Sequence, residues 1–217
     1  MSTLTLYLGN KNYSSWSMRA GLAVRLSGAA FREERFDLAA EGVRDEILRL
    51  SPAGKVPFLR AGDVVIWDSM AIFEYLAETC TDVAMWPRDP AARAVARAVA
   101  AEMHAGFPRL RASMPMNIRR SSPGKGRDAG VAEEIERIGA IWRDCRERFG
   151  AQGTFLFGDW SLADVAYAPV VSRFRTYAVQ FDDRAEAYAA AVRSRPEFVE
   201  WCAAAETESS HIASYDL

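Results

Sequence analysis

The feature that most limits the fold is a change of hydrophobic rhythm near Pro87. Before it, short apolar runs alternate with helical stretches; after it, strand signals vanish and a helical period continues nearly to the end. Leu4 to Leu8 reads as a short buried strand. Trp16 to Leu26 reads as a helix with Met18, Leu22, Ala23 and Leu26 on one face, and Phe31 to Phe36 returns to strand character, completing a βαβ unit. Gly42 to Leu50 is loosely helical, and Ser51 to Pro57 breaks the chain. Phe58 to Arg60 and Val64 to Trp67, separated by the turn signal Ala61-Gly62-Asp63, predict a β-hairpin. Asp68 and Ser69 then open a helix reaching about Glu78. The order is βαβαββα.

In the second part, Pro90 to Met114 reads as one long helix carrying Val95, Val99, Met103 and Phe107 at spacings of four. Val131 to Phe149 places Ile135, Ile138, Trp142, Cys145 and Phe149 on one stripe, with a loop from Pro115 to Gly130 before it. Ser161 to about Phe174, Asp183 to Val192 and Pro196 to Ala205 complete the set. The pattern predicts an α/β domain over 1–80, a linker over 81–89 and an all-helical domain over 90–217. A chain of 217 residues is long enough for two such cores.

Charge and residue counts exclude several kinds of function. With 27 basic against 29 acidic residues the chain lacks the broad positive field that phosphate-backbone binding exploits, so no nucleic acid partner is expected. No apolar run approaches about 18 residues and the start lacks a secretory leader's charged flank and apolar core, so neither a membrane nor export is expected. Cys80, Cys145 and Cys202 are odd in number and dispersed, which suits a reducing cytoplasm, and with His104 and His211 as the sole histidines they give no metal-ligand spacing. Chemistry must then rest on hydroxyls, carboxylates, arginines or a bound cofactor.

Three short motifs stand at junctions between elements. Ser14-Ser15-Trp16-Ser17 stands between the first strand and first helix. A serine there is a favoured N-cap, and a hydroxyl beside free helix amides also suits an anion or a thiolate. Lys55-Val56-Pro57 enters a strand of the hairpin. It reads either as an edge feature or, if its X-Pro bond is cis, as an exposed amide and carbonyl of Val56 able to pair with a peptide-like ligand. Asp68-Ser69 opens the next helix, as a cap or as the holder of an amino-acid head group, ammonium to Asp68 and carboxylate to Ser69.

The joint order of these motifs resembles the glutathione transferase family across essentially the whole chain. The resemblance implies a thioredoxin-like amino-terminal domain that binds glutathione and a helical domain that shapes an electrophile pocket. Ser14-Ser15-Trp16-Ser17-Met18-Arg19, followed by Leu22-Ala23-Val24 and Gly28, is most similar to the zeta class, the maleylacetoacetate isomerases, whose pattern is SSCxWR. Trp16 stands where that pattern has cysteine, and Met18 where it has tryptophan. Ser161 and Asp164 match the family's capping box and are read as structural.

Arg109 to Arg127 holds six basic residues and no acidic one. It reads as a solvated face or, through the resemblance, as a source of substrate contacts. Asn117 and Arg119 fall near positions that touch glutathione in the zeta class. Arg111, Arg119, Arg173 and Arg175 are candidates to hold a carboxylate-bearing substrate. His104 reads as a packing residue. The resemblance implies that Ser14, helped by Ser15, donates a hydrogen bond to the thiolate of glutathione, which attacks a small electrophile in a transferase or isomerase reaction. Lys55, Val56, Pro57, Asp68, Ser69 and Asn117 would hold the tripeptide, and the protein would be a cytoplasmic homodimer. A passive glutathione or apolar-ligand module on the same fold remains the alternative.

Overall fold

The computed structural model describes residues 4–216. Strand β1 (Leu4–Leu8), helix α1 (Ser15–Ser27) and strand β2 (Phe31–Arg35) form the βαβ unit; α2 (Val43–Leu50) follows, then the hairpin β3 (Phe58–Ala61) and β4 (Val64–Trp67), and α3 (Ser69–Thr79). The four strands lie in the order β2-β1-β3-β4, with β1 parallel to β2 and antiparallel to β3. Leu6 pairs with Leu59 and both are fully buried, because alternate residues of a strand share one face. Gly28 ends α1 with φ at 70°, a left-handed conformation that glycine adopts without a Cβ clash.

The second part is all-helical: α4 (Pro90–Ala105), α5 (Pro108–Ser113), α6 (Val131–Phe149), α7 (Leu162–Thr176), α8 (Asp183–Arg193) and α9 (Pro196–Glu206), with a 3-10 turn at Ala213–Tyr215. The expectation of one helix from Pro90 to Met114 is corrected here. The chain breaks at Gly106 and Phe107, the latter with φ at 61°, and restarts at Pro108. Proline supplies no N–H and disfavours a helical residue before it, so the apolar period runs on through a real break.

One apolar core crosses between the two parts, from Leu6, Met18, Leu22 and Phe73 to Trp142, Tyr167 and Trp201. Helix α1 packs on α3 on one side and on α7 and α9 on the other. Gly21 permits this approach, since a Cβ there would collide with the ring of Trp201. Two polar ties fix the same contact: Arg19 Nε donates to the carbonyl of Ala166 in α7 at 2.9 Å, and Trp201 Nε1 to the carbonyl of Lys11 at 3.1 Å. The start of α1 is thereby held against the helical part.

Candidate active site

A cleft runs along the start of α1 between the sheet and the helices, in two lobes of about 640 and 660 Å³ that share Trp16, Lys55 and Val56. One lobe is walled by Ser14, Ser15, Arg111, Arg173 and the carboxy-terminal segment at Ile212, Ser214 and Tyr215. The other holds Pro57, Trp67, Asp68, Ser69 and His104. The Val56–Pro57 peptide is cis.

The serines at the cleft differ in what their hydroxyls do. Ser14 is the N-cap of α1: its Oγ accepts from Ser17 N–H at 3.2 Å and donates to Ser17 Oγ at 2.8 Å, while Ser17 Oγ also accepts from Gly9 N–H at 2.9 Å. The Ser14 hydroxyl is therefore consumed by the helix start. Ser15, one residue on, accepts from Arg173 Nη2 at 3.2 Å, and its own proton has no protein acceptor among the described residues. It lines the cleft on the first turn of α1, where no acidic side chain stands beside the helix start.

Three guanidinium groups surround this turn. Arg19 and Arg111 stack on the Trp16 ring at 4.6 and 4.9 Å from its centroid. Arg173 is buried in α7, with Nε donating to Met114 O at 2.9 Å and Nη1 to Pro169 O at 3.4 Å. Burial pulls the Arg173 guanidinium down to about 9, and the neighbouring charge of Arg111 adds to the pull. Burial also pulls Arg19 well down, with Arg111 and Arg173 repelling it, and both its terminal nitrogens lack a partner among the described residues. No carboxylate is hydrogen-bonded to any of the three there. Such a cluster favours an incoming anion.

The break between α4 and α5 positions Arg111. Its Nε donates to Gly106 O at 2.9 Å and its Nη2 to Met103 O, so it caps the carboxyl end of α4, where a cation is favoured. Its Nη1 has no protein partner among the described residues, and Arg111 lines the first lobe.

In the second lobe, Asp68 caps α3 by accepting from Met70 N–H at 2.8 Å, at a φ of 74° that is unusual for a side-chain-bearing residue. Its other oxygen lies 3.2 Å from His104 Nε2, and the His104 ring meets Trp16 edge-on at 5.0 Å. Burial lowers the His104 pKa, opposed by the charge of Asp68. The buried Ser69 hydroxyl has no partner among the described residues.

The remaining predicted residues do not converge here. Asn117 accepts from Asn12 and donates to Asp216, at 3.0 and 2.8 Å. Arg119 bonds Tyr13 Oη at 3.1 Å, Ser210 O at 2.8 Å and Glu208 O. Both therefore hold the carboxy-terminal segment, a wall of the first lobe, against the 10–13 turn, and neither lines the cleft itself. Arg175, two residues after Arg173 on a helix of 3.6 residues per turn, comes out on a different face and lines a separate hollow with Val179 and Phe181. Trp16, Arg19, His104 and the 212–215 strap were not singled out as site residues in the sequence. Trp16 carried one usable signal, its departure from the cysteine of the SSCxWR pattern.

The fold and the cleft define a class: a thioredoxin-like domain with a strand-Ser-helix junction, joined to a helical domain that closes one side of the cleft. Models of the glutathione S-transferase N-terminal domain and C-terminal domain match residues 13–79 and 128–204. The chain belongs to the glutathione S-transferase family of enzymes. It is 29% identical over 160 residues, 73% of each chain, to a Caenorhabditis elegans protein named "Probable maleylacetoacetate isomerase". It is 38% identical over 96 residues, 42% of this chain and 45% of the other, to maleylacetoacetate isomerase of Rhizobium meliloti. A glutathione transferase homologue from Burkholderia, solved with bound glutathione, superposes with a TM-score of 0.73 at 22% identity, covering 95% of this chain and all of that one, and shares the fold.

Proposed function

We propose that this enzyme uses glutathione, as co-substrate or cofactor, in a transferase or isomerase reaction, and that Ser15 is the hydroxyl that stabilises the glutathione thiolate. The observation that carries the reading is the free Ser15 proton at the amide end of α1, beside a cationic cluster without a hydrogen-bonded carboxylate. Ser14 holds the helix start that presents it. The protein's own sulfurs are poor alternatives: the cysteines are buried, and burial pushes the Cys145 thiol up to about 12 and Cys202 to about 11. The reactive sulfur then comes with the tripeptide.

The backbone of Val56 pairs with the peptide, Lys55 and Pro57 line its path, and Asp68 and Ser69 take the amino-acid head group. The thiolate attacks an electrophile in the lobe under the carboxy-terminal strap. In a transferase cycle the sulfur keeps the new bond and a leaving group departs; in an isomerase cycle it adds to a conjugated double bond, permits rotation and is expelled. Acids of the maleylacetoacetate type are first candidates, given the relatives' names, and Arg111 Nη1 is the group free to grip a carboxylate. Asn117 and Arg119 act at one remove, by holding the strap. A cytoplasmic homodimer is part of the same reading, and its dimeric part is supported by Val64 and Trp67, which leave β4 exposed at the sheet edge.

The test is retention on immobilised glutathione, followed by turnover of maleylacetoacetate-like acids and aryl halides by wild type and Ser15→Ala. Loss of turnover with glutathione still bound is expected. Full turnover in Ser15→Ala would overturn the serine assignment, and failure of wild type to bind glutathione would overturn the whole reading.

A further inference from the structure

The buried Arg173 has an arrangement that a substrate grip does not need. Its three nitrogens are all engaged by neutral oxygens, of Met114, Pro169 and Ser15, and the guanidinium is 4% exposed. Arg111, by contrast, lines the cleft and keeps one nitrogen without a protein partner among the described residues. The groups facing Arg173 are Arg111 from α5, Arg19 from α1 through their mutual repulsion, Tyr177 from its own helix end and Tyr215 from the strap. None is a carboxylate. A charge this deeply buried without a counter-ion is held at a cost, and that cost falls when an anion arrives next to it.

We propose that Arg173 is a positioning residue that acts through Ser15. By donating to the Ser15 oxygen it turns the hydroxyl proton into the cleft and polarises the O–H bond, so that the thiol of bound glutathione loses its proton to solvent at lower pH. The inference rests on the Ser15 reading above and deepens it. Arg111 and Arg173 are thereby given different tasks: one touches the substrate, the other sets the ionisation of the thiol. The linkage is reciprocal, and a thiolate beside Ser15 stabilises the charged guanidinium in turn.

The experiment is a pH titration of the ultraviolet thiolate absorbance of bound glutathione in wild type, Ser15→Ala, Arg173→Gln and Arg173→Lys. Binding of S-methylglutathione, which has no thiol to ionise, serves as the control for an intact cleft. Arg173→Gln is expected still to bind S-methylglutathione and to raise the thiol pKa by about one to three units, the range for loss of a nearby opposite charge. Arg173→Lys is expected to fall between, because an ammonium cannot span Met114 and Ser15 in the same fork. In a Ser15→Ala background the Arg173→Gln change should add little to the shift. A thiol pKa unchanged in Arg173→Gln, or unchanged in Arg173→Lys should the glutamine variant not fold, overturns the inference while leaving Ser15 in place. If wild-type glutathione is not ionised at all, the Ser15 reading falls first.

Discussion

Helices α1 and α7 both begin at a serine, and the two starts are built in opposite ways. At α7, Ser161 N–H and Oγ donate to Asp164 Oδ2 at 2.9 and 3.0 Å, and Leu156 N–H donates to Oδ1 at 3.0 Å; the carboxylate is wholly enclosed. At α1, Ser14 caps the helix through Ser17, no acidic residue occupies the first turn, and three arginines gather round it. One start carries its own anion and is closed. The other has the dipole, the amides and the cations but no anion, and it opens on a cleft. A serine before a helix is thus a structural device or a chemical one according to the charge that tertiary packing brings to it.

Ways to break this contrast differ in size. The largest effect is expected from Ser15→Ala, which leaves the Ser14 cap intact. Turnover with glutathione should fall about 10²–10³-fold, the loss typical of one donor to a developing anion, with the melting temperature nearly unchanged.

Next, Asp164→Ala should cost about 3 kcal/mol of unfolding free energy, read by denaturant titration, because the Leu156 and Ser161 donors are left buried without an acceptor. Turnover per folded molecule should hold. Asp164 also makes the closed start pH-sensitive. Burial raises its pKa to about 6, against about 3.9 in an unfolded chain. The folded state therefore keeps the proton over the wider range, and the stability linked to it is complete below about pH 4 and lost as pH rises through 6. Relative to Asp164→Asn, which does not titrate, wild type should lose up to about 3 kcal/mol between pH 4 and 7.

Ser17→Asp sharpens the comparison most directly, since it rewrites the start of α1 in the Ser-x-x-Asp form of α7. Its carboxylate would supply the missing anion, and glutathione affinity should drop about tenfold or more by calorimetry through like-charge repulsion with the thiolate. An affinity equal to wild type would show that the open start is not what the ligand reads. Smallest is Ser14→Ala, expected to cost about 1 kcal/mol as the loss of a cap, with thiol ionisation changed far less than in Ser15→Ala.

Much of the amino-terminal fold was legible because its signals are local: alternation in β1, the Ala61-Gly62-Asp63 turn and the Asp68-Ser69 cap each specify their own segment. The α4–α5 break was not, because apolar spacing survives a kink that Gly106, Phe107 and Pro108 impose. A single helix over Pro90 to Met114 would also hide the position of Arg111, which folds back onto the end of α4 because the helix stops there. Arg173 was named but not its attachment to Ser15, and His104 was passed over as packing, although it lies 3.2 Å from Asp68. Both contacts join residues far apart in the chain, and no spacing rule reaches across the two domains.

By itself, then, the sequence determined the order of elements in the amino-terminal part, the family and the two serines at the mouth of α1, since propensity, capping and apolar period act over a few residues. Only the tertiary structure decided which serine hydroxyl is left with its proton unaccepted among the described residues. The Ser14 hydroxyl is spent on its own helix, while Ser15 meets a guanidinium carried 158 positions along the chain, and a buried charge takes its meaning from whatever packing sets beside it.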